Sequence, residues 1–104
     1  MKKERSLTKN RILDILRERE NDLRKYHVKR IGLFGSYVTG KQSPRSDVDF
    51  VVEFEQPSFD NYMDLTSYLE RLLGKKIDIL TPEGIRSIRV KEVAKKISRS
   101  VLYV

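Results

Sequence analysis

The chain has 104 residues, 38% hydrophobic and 36% charged, with 22 Lys plus Arg against 15 Asp plus Glu and a formal net charge of +7. That length fits a single domain, 1–104, and the absence of Cys excludes disulfide scaffolds, thiolate metal sites and cysteine nucleophiles. The opening Met-Lys-Lys-Glu-Arg leads into no long apolar segment, so we expect no cleaved signal and no membrane span, and a cytoplasmic chain.

Taken in chain order, Thr8 can cap a helix running to about Tyr26, with Ile12, Leu13, Ile15, Leu16 and Leu23 on one apolar face. His27 reads as a surface residue. Val28 to Phe34 is rich in β-branched and aromatic residues and reads as a strand that Gly35 stops. A short helix is expected over Tyr37 to about Lys41, then a turn at Ser43-Pro44-Arg45. Val48, Phe50, Val52 and Phe54 alternate with Asp47, Asp49, Val51 and Glu53, the period of a strand with one apolar face, and Pro57 ends it. Tyr62 to Leu73 is an amphipathic helix with Met63, Leu65, Leu69, Leu72 and Leu73 turned inward and Gly74 as its stop. A short strand follows at Lys76 to Leu80, ended by Thr81-Pro82. A last helix, from Ile85 or Ile88 to about Ser98, precedes an edge strand at Val101 to Val104. Alternating helices and strands of this kind predict an α/β (α+β) domain: a mixed sheet packed on one side by helices.

Charge is segregated along the chain. Residues 1–30 hold eleven basic and five acidic side chains, 31–82 five basic and eight acidic, and 83–104 six basic and two acidic. The acidic middle coincides with the strands, where a nucleic-acid module would instead place basic charge.

The chemistry is concentrated in that middle. Asp47 and Asp49 leave the same face of a strand about 6.5 Å apart along it. Carboxylates so placed can bridge a pair of hard divalent ions about 3.5–4 Å apart; alone, an Asp-x-Asp also occurs as ordinary surface charge. Gly35-Ser36 lies where the first strand meets a helix start, so backbone N–H groups there can face an anion and the hydroxyl can donate to it. The plainer reading is a strand-to-helix turn capped by Ser. If the two strands are antiparallel neighbours, Gly35-Ser36 and the two aspartates share one sheet edge, and a triphosphate held by the first meets cations held by the second.

Gly35-Ser36, ten residues, then Asp47-Val48-Asp49 opening an apolar strand resembles the signature of the nucleotidyltransferase superfamily, with its polymerase-beta palm-like fold. The short length and the segment Lys76-Ile77-Asp78-Ile79-Leu80-Thr81-Pro82-Glu83 are similar to the minimal nucleotidyltransferases, over about residues 10 to 102. The resemblance implies that Gly35 and Ser36 bind nucleotide phosphates and that Asp47, Asp49 and Asp78 ligate two Mg²⁺ ions, with ATP as substrate. It also implies an antitoxin that transfers AMP to a tyrosine of a helical toxin ribonuclease of the HEPN class. Tyr37-Val38-Thr39-Gly40 departs from the Arg-x-Arg-Gly of many such proteins, which bears on nucleotide affinity and partner choice.

Lys41 or Arg45 could reach phosphate oxygens from the intervening loop, and Tyr37 could stack on a base. Tyr26, Tyr62, Tyr68 and Tyr103 read as half-buried packing residues. Two other functions stay open: an antitoxin that neutralises by contact alone, and a nucleic-acid binder using the basic segments 1–30 and 86–99. Against the latter, Glu18, Glu20 and Asp22 interrupt the first segment and no base-stacking aromatic marks the second. A second copy of the chain is also open as a partner, a membrane is not.

Overall fold

A computed structural model describes residues 7–104. Helix α1 spans Lys9–Glu18 and is capped as expected: Thr8 Oγ1 accepts from the Arg11 N–H at 3.2 Å. The helix does not run on to Tyr26. Arg19 leaves helical geometry while its N–H is shared between the carbonyls of Ile15 and Leu16, and α2 (Glu20–Lys25) restarts beyond it. His27, exposed, turns the chain into the first strand through a left-handed conformation, φ 65°.

Strands β1 (Val28–Phe34), β2 (Val48–Phe54), β3 (Ile77–Leu80) and β4 (Leu102–Tyr103) form one sheet in the order β3-β2-β1-β4. β1 runs antiparallel to both β2 and β4, and β2 runs parallel to β3, so the sheet is mixed as expected. A parallel pair needs a crossover, here α4 (Phe59–Leu73).

The period of two in β2 decides which side is core. Val48, Phe50, Val52 and Phe54 are buried with Ile31 and Leu33 of β1 and Ile77 and Ile79 of β3, against Ile12, Leu13, Leu16, Leu23, Leu65 and Leu69 of the helices. The opposite face carries Asp49, Val51 and Glu53. It is not wholly open, because Val51 is buried too, as is Ile85 on α5 (Pro82–Arg86), which lies against β2. At the far edge Tyr103 and Val101 close over Gly32, where a Cβ would overlap the Val101 side chain, and the Arg30 guanidinium sits 4.0 Å from the Tyr103 ring centre. A residue without a side chain is what lets β4 seat there.

Two further helix boundaries and one side chain differ from expectation. α4 starts at Phe59 rather than Tyr62, because Ser58 Oγ accepts from the Asn61 N–H at 3.0 Å and caps the earlier start. Met63 faces outward, 42% exposed, since Leu65 and Leu69 set the buried stripe. The last helix is two: α5, capped by Thr81 with Pro82 in its first turn, and α6 (Lys91–Ser100).

Tyr68 of α4 stacks on Tyr26 at 4.9 Å and donates its hydroxyl to Asp22 at 2.9 Å, tying α4 to α2. Desolvation, then the Asp22 hydrogen bond and charge, push the phenol up to about 12. Tyr68→Phe is expected to lower stability by about 1 kcal/mol, read as a fall in the urea midpoint. In the wild type, absorbance at 295 nm should show a tyrosine ionising near pH 12, a step that Tyr68→Phe removes.

Candidate active site

Register builds the site. In the parallel pair β2–β3 Asp49 stands opposite Asp78, and in the antiparallel pair β1–β2 it stands opposite Phe34, the residue before Gly35. Asp47 lies just outside β2. Three segments far apart in the chain thus deliver Gly35, Asp47, Asp49 and Asp78 to one end of one sheet face.

Gly35 is pressed against the Asp49 side chain. A Cβ built on it would collide with the Asp49 carboxylate, and its φ of 83° with ψ of −151° suits glycine alone. From there α3 (Ser36–Thr39) begins with no side chain capping its N-terminus, so the Ser36 hydroxyl is not spent as a cap. The Gly35 carbonyl accepts from the N–H groups of Val38 and Thr39, at 3.0 and 3.2 Å, and Gly40 ends the turn in the left-handed region.

Asp49 feels the other two aspartates. Asp49, half-buried, is pushed up from 3.8 to about 6, first by desolvation, then by the charges of Asp78 and Asp47, and by a hydrogen bond to Asp78 when protonated. Asp78 is exposed at the rim, so the cluster opens to solvent on the β3 side. Among the described residues no three such side chains are already closed into an ion cage. The donor set is nevertheless all carboxylate oxygen, the chemistry that suits a hard divalent cation, and unbalanced negative charge is what such an ion would relieve.

Other candidates separate. Lys41 and Arg45 are exposed in the loop between α3 and β2, where Ser43 and Ser46 make the expected turn. Tyr37 is not placed to stack on a base: it is 3% exposed and belongs to the core cluster, because its position in the first turn of α3 faces the helical side of the sheet. Lys75 was not singled out by sequence. Its ammonium donates to the Pro44 carbonyl at 2.7 Å and fastens the loop that leads into Asp47, a contact across 31 positions that no local pattern announces.

A model of the nucleotidyltransferase domain matches residues 9–104. The chain belongs to that family. Among its nucleotidyltransferase relatives, a candidate protein adenylyltransferase of Methanocaldococcus jannaschii is 44% identical over 101 residues, 93% of this chain and 98% of that protein. The protein adenylyltransferase MntA of Thermococcus cleftensis is 40% identical over 100 residues, 94% of this chain and 97% of that one. Two solved structures share the fold. A candidate minimal nucleotidyltransferase superposes with a TM-score of 0.73 at 21% identity, covering 95% of this chain and 98% of that one. A chain from the complex of tri-AMPylated Shewanella oneidensis HEPN toxin with MNT antitoxin superposes with a TM-score of 0.51 at 20% identity, covering 90% and 66%. Among the described residues no helix is long and apolar enough to cross a membrane.

Proposed function

We propose that this nucleotidyltransferase is a Mg²⁺-dependent protein adenylyltransferase, a one-domain antitoxin that moves AMP from ATP to a tyrosine hydroxyl of a HEPN-type toxin in the cytoplasm. The observation that carries the reading is the register of Asp49 against Asp78, with the Gly35 backbone against the Asp49 carboxylate. Nearly full-length similarity to protein adenylyltransferases supports the choice of AMP and of a protein acceptor.

The chemistry follows from charge. Gly35 and Ser36 offer N–H groups and a hydroxyl to the β- and γ-phosphates at an uncapped helix start. The acceptor oxygen forms a bond to the α-phosphorus as the bond to the β-phosphate oxygen breaks, and pyrophosphate leaves. Three carboxylates by themselves would repel a triphosphate. Asp47, Asp49 and Asp78 would hold Mg²⁺, which would supply the positive charge that neutralises it and would ease ionisation of the hydroxyl. Asp78, on the open rim, is the carboxylate best placed to face the incoming acceptor and its proton.

Incubating the chain with ATP labelled at the α-phosphate, Mg²⁺ and a HEPN-type protein should label a tyrosine of that protein, and EDTA or Asp47→Asn with Asp49→Asn should abolish the label. A wild-type chain that silences the toxin with no label transferred would replace this reading by neutralisation through contact.

A further inference from the structure

Outside the carboxylate edge, α6 is an exposed basic helix. None of its ten residues is buried, and Val90 and Val93 at its start are 57% and 46% exposed. Lys91, Lys95 and Arg99 repeat every four residues and so share one stripe, with Lys96 beside it. Among the described residues no ion pair engages any of these four. Like charges four apart weaken a helix by about 0.2–0.5 kcal/mol per pair, so the stripe opposes folding and calls for another reason to be there.

The stripe borders a groove of about 470 Å³ between α5 and α6, with Ile85 and Ala94 among its lining residues and Arg86, Lys91, Lys95 and Arg99 around them. α5 leaves β3 shortly after Asp78 and lies against β2, and Ile85 is buried as is Val51, two residues from Asp49 on the same sheet face. An occupant of the groove therefore lies on the side of the sheet that carries the carboxylates.

We infer that the α5–α6 groove is the docking surface for the acceptor protein, taking an acidic, partly apolar surface of it and so presenting its tyrosine to the Asp49–Asp78 edge. The inference rests on the protein-acceptor reading above. Charge complementarity selects the occupant: a second copy meeting groove to groove would bring cations against cations. A nucleic acid would leave the valines and the apolar lining idle, and neither helix carries an aromatic for base stacking.

The test measures binding apart from catalysis, with the full chain, a HEPN-type acceptor and no ATP. Wild-type affinity should fall about tenfold between low and high salt, and Lys91→Glu with Lys95→Glu and Arg99→Glu should weaken it at least about tenfold. With ATP present, the same variant should raise the acceptor KM and leave the ATP KM unchanged. Acceptor binding indifferent to salt overturns the proposal even if the variant fails to fold. So does a folded variant that binds the acceptor like wild type, including one that loses affinity only for single-stranded RNA or anionic vesicles. Salt-dependent binding weakened by the variant, with no AMP transferred by wild type, would leave the docking surface standing and sink the catalytic reading alone.

Discussion

Asp49→Asn will melt at a higher temperature than the wild-type chain in metal-free buffer at pH 8, and will transfer AMP about a thousandfold more slowly. The two effects have one origin. Folding raises the Asp49 carboxyl from 3.8 to about 6, so the native state binds its proton more tightly than the unfolded chain does. A raised carboxyl makes stability fall as pH rises: the penalty is absent below 3.8, grows between 3.8 and 6, and is complete above 6. Taken whole, that displacement corresponds to about 3 kcal/mol. Solvent reaches this half-buried group and screens it, which leaves about 1–2 kcal/mol. Asn keeps the shape and removes the charge, so melting should rise by about 4–10 °C at pH 8 and by nothing at pH 3.5. Added Mg²⁺ should raise the wild-type midpoint and leave that of Asp49→Asn nearly unmoved. A variant that melts below wild type at pH 8 would show that the carboxylate is held by contacts that outweigh its repulsion from Asp47 and Asp78.

The same cluster shows what could be read from sequence and what could not. The alternation in β2 assigned both its faces, so Phe50 fell in the core and Asp49 on the other side without any knowledge of the fold. Asp78 was harder. The family resemblance named it, but only the β2–β3 register brings it beside Asp49, because a strand of four residues does not specify its partner. The break at Arg19 was invisible because Arg and Glu favour helix throughout that stretch. α4's early start was hidden behind Pro57-Ser58, a turn signal whose Ser serves as the cap. Tyr37 misled because Gly35-Ser36 announces a helix start and not which way its first turn faces. The charge pattern along the chain did not announce the ion pairs: Arg24 and Arg30, before β2, pair with Glu20 and Glu53, and among the described residues no ion pair engages the cations of α6.

Gly35→Ala is expected to lose about 3 kcal/mol of stability and nearly all AMP transfer, and the two losses can be traced to separate causes. The first is backbone: a φ of 83° with a ψ of −151° lies where side-chain-bearing residues are strained by about 1–3 kcal/mol. The second is overlap with the Asp49 carboxylate, which must then swing away from Asp78. Gly40 provides the control. Its φ of 80° is also positive, but ψ is 10° and nothing lies near a Cβ built there, so Gly40→Ala should lose only about 1 kcal/mol. The overlap can be isolated by measuring Gly35→Ala in an Asp49→Ala background, where the colliding oxygens are gone. Urea denaturation of the four proteins in that cycle should give a coupling of about 1–2 kcal/mol, with the double variant less damaged than the sum of the singles. Additive losses would mean that strain alone excludes a side chain at position 35. Coupling would mean that the bare Gly35 backbone is what lets Asp49 face Asp78, so that glycine at the end of β1 and the carboxylate pair on β2 and β3 act as a single device.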